Sequence, residues 1–365
     1  MIRLSRTFAC AVLTAAYVGT VGCGPSPAPR VEGTPASLEK LSQYGLFVGQ
    51  MRDQRPAPGV IPYDLNTPLF SDYAEKSRFV KLPPGSSARY HEDDVFSFPV
   101  GTVLAKTFAY PIDARDPSRG RRLLETRVLV HQADGWVGLP YVWDEAQEEA
   151  TLEVAGRFVD VAWVHTDGHG RANNYIVPNM NQCKGCHKVG ESVVPLGPRA
   201  RQLNKEFLYE QGTENQLTHW SRAGVLSGAK RAVEAPRLAV WDDPTSGTLE
   251  ARARAWLEIN CAHCHSPEGP ARNSGLDLLS TQKTPAAYGV FKAPVAAGLG
   301  SGGRAFDIVP GRPDESILTY RIASTHPGVM MPELGKRLVH EEGVALVREW
   351  VASMSADPRP TAENR

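Results

Sequence analysis

The chain has 365 residues, 42% of them hydrophobic and 22% charged, which is long enough for two or three domains. Its 40 basic and 40 acidic residues give a formal net charge of zero, so nothing in the composition calls for nucleic acid as a partner. Six cysteines are few enough for each to be assigned.

Arg3 and Arg6 precede a mostly apolar or small stretch, Thr7 to Val21, that is short for a membrane span. Residues 1–22 read as an export signal. Thr20-Val21-Gly22-Cys23 is similar to a lipobox, with Thr20 where leucine is usual, and Thr20 and Gly22 also suit ordinary cleavage. Acylation of Cys23 is favoured, because ordinary cleavage leaves an unexplained thiol at the new terminus. Gly24-Pro25-Ser26-Pro27-Ala28-Pro29 makes residues 23–37 a semi-rigid tether. The expected location is the periplasmic side of a bacterial membrane, held there by lipid.

Residues 38–180 read as a β-rich domain. Leu124, Val128 and Val130 share one strand face, with Glu125 and Arg127 on the other. Ala133-Asp134-Gly135 is a hairpin turn signal. Phe158 to His165 reads as a further strand, closed by Asp167-Gly168-His169-Gly170. Turn signals at these intervals suggest an antiparallel sandwich or barrel. The stretch holds no nucleophile pattern, phosphate loop or carboxylate pair.

Two copies of Cys-x-x-Cys-His follow, Cys183-Lys184-Gly185-Cys186-His187 and Cys261-Ala262-His263-Cys264-His265. This is the attachment signature of c-type haem. Each thiol can add across one porphyrin vinyl group, and the next histidine can serve as proximal iron ligand. Cys183, Cys186, His187, Cys261, Cys264 and His265 are therefore the candidate cofactor-binding residues. A zinc ribbon would place its pairs roughly 15–20 residues apart, much closer than these, and gives no reason for histidine to follow both. A redox-active thiol pair would call for one motif on a βαβ pattern. Composition alone does not exclude disulfides.

After the first motif, a helix is expected from Glu214 to Leu226, with Leu217, Trp220 and Gly224 on one face. Trp220 is a candidate cover for a haem edge. His219 is a candidate sixth ligand for the first haem, weighed against a solvent-facing histidine. Leu249 to Asn260 is helical by composition, with Ala253, Leu257 and Cys261 along one side. Val344 to Met354 supplies a partner helix. Asp314 or Ser316 is placed to cap a helix between them. In Gly328-Val329-Met330-Met331-Pro332, Met331 rather than Met330 is the candidate distal ligand of the second haem, a soft thioether that favours reduced iron. Pro270, and Pro195 or Pro198, are candidates for carbonyls that orient the proximal histidines.

With these strings, and with Tyr63-Asp64-Leu65-Asn66-Thr67-Pro68-Leu69-Phe70-Ser71-Asp72-Tyr73 and Met330-Met331-Pro332-Glu333-Leu334, the chain resembles the dihaem c-type cytochrome lipoproteins of Gram-negative bacteria. The resemblance implies an exported carrier with two covalently bound c-type haems, redox partner proteins and a lipid anchor. The expected fold is multidomain α+β: the β-rich domain, then two mainly α-helical cytochrome c-type haem domains at 181–245 and 246–356, the second closed by pairing of its first and last helices, and a disordered tail at 357–365. Electron transfer is the expected function. A peroxidase-like dihaem oxidoreductase with an open first haem is the alternative, as is an electron-transfer subunit whose β domain docks a dehydrogenase.

Overall fold

Alternating side chains build one open antiparallel sheet from the first half of the chain. The computed structural model describes residues 37–296 and 298–355; the signal segment, Cys23, nearly all of the tether and the tail lie outside the described residues. The strands are β1 (Val60–Tyr63), β2 (Glu75–Lys81), β3 (Ala88–Arg89), β4 (Val103–Pro111), β5 (Arg121–Gln132), β6 (Gly135–Trp143), β7 (Ala150–Leu152), β8 (Arg157–Val164) and β9 (Gly170–Val177). The sheet runs β1-β2-β4-β5-β6-β7. Gly135, at φ 124°, closes the β5–β6 hairpin in a conformation that side-chain-bearing residues rarely adopt.

The two faces of this sheet are covered differently. Val103, Ala105, Val128 and Val130 pack under Leu41, Tyr44, Leu46 and Phe47. On the opposite face, Leu104 lies with Ala200, Leu203, Leu217 and Trp220 at one end. At the other end, Phe108 and Tyr110 lie under Val161, Trp163 and Tyr175 of the β8–β9 hairpin. The strip between these two covers becomes the floor of a cavity. A register shift between Phe108 and Ala109 leaves Leu124 as the extra residue on β5. Leu124 therefore packs with the hairpin instead of sharing a face with Val128 and Val130. Glu125, expected on a polar face, is fully buried.

The expected sandwich or barrel followed by two mainly α-helical haem domains is not what the chain forms. The sheet is open, with β1 and β7 at its edges, and helices of all types make up 23% of the described residues. Among the described residues there are six α-helices: α1 (Met180–His187), α2 (Ala200–Leu203), α3 (Gln216–Arg222), α4 (Leu249–Leu257), α5 (Ile317–Ile322) and α6 (Glu341–Ser353). Most are too short to hold themselves together, and the Pro/Gly punctuation between them favours turns. Small ladders fill the gaps: β10 (Lys188–Val189) with β11 (Ser192–Val193), β12 (Glu206–Tyr209) with β13 (Gly212–Asn215), and β14 (Leu226–Ser227) beside β3. The helix expected from Glu214 begins at Gln216, because Glu214 pairs with Phe207 in the β12–β13 hairpin.

Helix α4 starts at a Thr248 cap, whose side chain accepts from the Ala251 N–H, and continues as a π-turn over Glu258–Ala262. It packs against α6 through Ala253, Leu257, Val344, Val347 and Val351. Gly343 permits this approach, since a Cβ there would collide with the Trp256 indole. Ser316 precedes α5 but makes no capping bond to it; its Oγ accepts from the Val309 N–H and donates to the Arg312 carbonyl. No helix among the described residues is long and apolar enough to cross a membrane.

The stretch Tyr63–Tyr73 straps these parts together. Asp64 pairs with Arg78 at 2.6 Å and Lys205 at 2.8 Å. The Asn66 amide donates to the Arg201 and Asn204 carbonyls. The Phe70 N–H donates to Asn260 Oδ1 at 2.9 Å, and Asp72 accepts from the Arg337 and Leu338 N–H groups. A buried pair, Arg201 Nε to Glu258 Oε1 at 2.7 Å, joins the two motif-bearing segments, and Ser280 satisfies the other Glu258 oxygen. Removing one partner of such a pair strands a buried charge, at a cost of about 3–5 kcal/mol. Arg201→Ala is expected to lower unfolding stability by that amount in denaturant titration. A loss below about 1 kcal/mol would place the pair with weak surface bridges.

Candidate functional site

Helix α1 carries the first motif and starts from a reciprocal cap. The Asn179 side chain accepts from the Gln182 N–H, and the Gln182 side chain accepts from the Asn179 N–H, each at 2.9 Å. Cys183 and Cys186, three residues apart, share a helix side. The helix sits on β6 at Gly138, where a Cβ would lie 3.1 Å from Cys183 Cβ. The β10–β11 turn then brings Val194 back to His187, whose Nδ1 bonds the Val194 carbonyl at 2.7 Å. A carbonyl only accepts, so Nδ1 carries the proton and Nε2 keeps its lone pair.

The second motif repeats that arrangement with different parts. The π-turn after α4 delivers Cys261, buried, and Cys264, half-buried. His265 Nδ1 lies 2.9 Å from Ser274 Oγ, and the Ser274 hydroxyl donates to the Ala271 carbonyl. Ser274 is thus the acceptor, and Nε2 of His265 is again the nitrogen with a free lone pair. Val194 and Ser274 fill the orienting role expected of Pro195 or Pro198 and of Pro270.

Each motif lines its own cavity. The first, of about 230 Å³, has walls from Leu104, Leu129, Ile176, Pro195 and Leu196 around Cys183, Cys186 and His187. The second, of about 350 Å³, has walls from Leu276, Leu278, Ile317 and Ile322 around Cys261, Cys264 and His265. Cys186, His263, Glu333 and Leu334 line both, so the cavities adjoin. The two methionines part here: Met330 lines the first cavity and Met331 the second. Met331 therefore shares a cavity with His265.

The floor of the first cavity is charged. Arg78, Lys106 and Arg127 are direct cross-strand neighbours on β2, β4 and β5, and all three line it. Like charges in such positions repel. Asp64 answers Arg78, and Glu125 answers Arg127 at 2.6 Å. Lys106 makes no hydrogen bond or ion pair among the described residues; its Nζ lies 5.0 Å from the Phe108 ring centre. Burial, with Arg127 and Arg78 beside it, pushes the Lys106 pKa down to about 7. An apolar cavity with an unanswered cation on its floor suits a largely apolar ligand that carries carboxylates.

Burial, the largest cause in each case, pushes the pKa values of His187, His263 and His265 down to about 4. These rings are neutral at physiological pH, as iron ligation requires. Burial also raises the thiols, Cys264 to about 11 and Cys261 to about 12. They stay protonated, unlike thiols built for thiolate chemistry. No group of three or more His, Cys, Asp or Glu side chains is gathered for a metal ion among the described residues, and the four described cysteines are free.

His219 is turned away from this chemistry. It stacks on Tyr209 with ring centres 3.5 Å apart, bonds Glu214 at 2.8 Å and lines neither cavity. Trp220 is fully buried in the core beside Tyr63. Sequence reasoning missed Lys106, Arg78, Gly138 and His263. Lys106 left one trace, a lysine inside the apolar run Val103-Leu104-Ala105-Lys106-Thr107-Phe108.

Gly138→Val puts a side chain against Cys183, and overpacking of this kind costs about 1–3 kcal/mol. The unloaded variant is expected to show alkylation of Cys183 about ten- to hundredfold faster, with Cys261 unchanged. Equal Cys183 rates in variant and parent would mean that α1 does not depend on this contact.

No family model, curated protein or solved structure matches the chain, so a functional reading rests on the two motifs and their cavities.

Proposed function

We propose that the chain is an exported dihaem c-type cytochrome that transfers electrons on the periplasmic side of a bacterial membrane. One observation carries the reading: each of two Cys-x-x-Cys-His motifs opens onto its own apolar cavity and presents a neutral imidazole with Nε2 free. The donor set fits haem. Cys183 and Cys186 would hold one macrocycle, and Cys261 and Cys264 the other. His187 and His265 would supply an imidazole ligand to each iron, and Met331, which lines the His265 cavity, would supply a thioether to the second.

Bound haem supplies an iron that gains and loses one electron. The protein's own residues set the conditions. Apolar walls exclude water, which favours the less charged, reduced state. The Val194 and Ser274 acceptors fix the tautomer and orientation of each imidazole. Lys106, with Arg127 beside it, meets carboxylates at the cavity floor. An acyl group on Cys23 would hold the body at a membrane, within reach of redox partner proteins.

The exported protein is expected to carry two haem masses, one lost in the Cys183→Ser/Cys186→Ser variant and the other in Cys261→Ser/Cys264→Ser. A protein exported without haem ends the reading. Met331→Ala is expected to remove the weak long-wavelength iron–sulfur band of the oxidised protein and to lower one potential, because thioether ligation raises it. Lys106→Gln removes a positive charge that opposes oxidation. Spectroelectrochemical titration below pH 7, where Lys106 is protonated, is expected to show one potential falling. An unchanged or raised potential would take Lys106 off the cofactor.

A further inference from the structure

Five side chains with a ligand atom besides His187 deserve weighing at the first cavity: His219, Lys336, Lys106, Met330 and His263. His219 lines neither cavity. Lys336 Nζ is engaged by the Ile322 and Met331 carbonyls, at 2.6 and 3.2 Å. Lys106 stands between two guanidiniums on the sheet floor, a setting for carboxylates. Met330 offers a thioether from the same short stretch that sends Met331 into the second cavity.

His263 differs from all of these. It occupies the second variable position of the second motif, next to Cys264, yet besides the second cavity it lines the first, together with His187. Its ring is buried beside the Ile259 backbone, one turn earlier in the π-turn. Like His187 and His265, it is a buried ring that lines a cavity.

We infer that His263 would serve, with His187, as the second iron ligand of the first haem. The inference rests on the dihaem reading and goes beyond it, because it joins the two sites into one unit. One nitrogen of the neutral ring would donate its lone pair to iron, with no proton released. The first haem is then bis-imidazole and closed to small ligands. Its distal ligand and a thioether cysteine of the second haem occupy adjacent residues, His263 and Cys264. An electron crossing this link oxidises one iron and reduces the other by one unit, with no proton or co-reactant involved.

The test uses the exported, haem-loaded protein. Mass spectrometry comes first: absence of haem would sink the dihaem reading before the ligand question is asked. In the loaded wild type, low-temperature electron paramagnetic resonance is expected to show one bis-imidazole and one imidazole–thioether low-spin centre, with no carbon monoxide uptake at the first haem. His263→Ala is expected to keep two haem masses, convert one centre to high spin and bind one equivalent of carbon monoxide. Added imidazole should restore the low-spin signal. His263→Met, which keeps a ligand and so guards against a folding failure, is expected to turn the bis-imidazole signal into a second imidazole–thioether signal. Two imidazole–thioether centres or a high-spin centre in wild type would overturn the inference. So would a His263→Ala spectrum matching wild type, or the same loss produced by Met330→Ala or Lys106→Gln instead.

Discussion

Asp64 answers two cations on two different parts of the chain, and much of the structure follows from that. Arg78 belongs to the sheet and Lys205 to the segment laid over it. With both held, the strap Tyr63–Tyr73 runs from the sheet edge past the second motif, where Phe70 reaches Asn260. It ends at the loop beyond Met331, where Asp72 receives two backbone N–H groups. Desolvation opposes the Asp64 charge, yet Arg78 and Lys205 hold its pKa below the usual carboxylate value. One aspartate thus fixes where the sheet, the first-motif cover and the second-motif turn meet.

That placement makes the sheet a template for short elements. Helix α1 has eight residues and none of them is fully buried. Its position comes from its cap, from Gly138 beneath Cys183 and from the β10–β11 turn, rather than from a helical core of its own. The second motif has more support, because α4 and α6 pack through Ala253, Leu257, Val347 and Val351. Even there, long loops supply Ser274 and Met331. The Arg201–Glu258 pair and the shared wall at Cys186 and His263 then bind the two cavities into one structural unit.

The sequence was legible where spacing is local. The β5–β6 turn, the β8 strand, the start of α4 and its apolar stripe could all be read within a window of a few residues. The two Cys-x-x-Cys-His strings were equally visible, and the structure places each beside a cavity. Helical domains could not be inferred safely, since short helices owe their existence to tertiary packing that propensity does not report. Leu124 changed face through a bulge that alternation cannot foresee. Glu125 and Arg127 looked like a solvated face but make a buried pair under Tyr175. Lys106 acquires its meaning only when β2 and β5 bring Arg78 and Arg127 to either side.

The two cavities are also electrically unlike, and on the proposed reading this bears on the order of the potentials. The first has Lys106, without an ion-pair partner among the described residues, over two internally balanced pairs, and Lys336, held by two carbonyls. The second has Arg321, whose Nε is taken by the Val329 carbonyl, and Asp307, paired with Lys292 at 3.3 Å. Cation and thioether would then act on different irons: Lys106 would raise the potential of a first haem, and Met331 that of a second. Imidazole ligation at the first site opposes the Lys106 effect. The ligand contrast sets the larger separation, because it acts through a bond to the metal whereas Lys106 acts through space and holds its proton only in part near neutral pH. On that reading electrons would run downhill from the sheet-backed site to the helix-backed one. The adjoining wall, not the distance between separate domains, is what makes that step short.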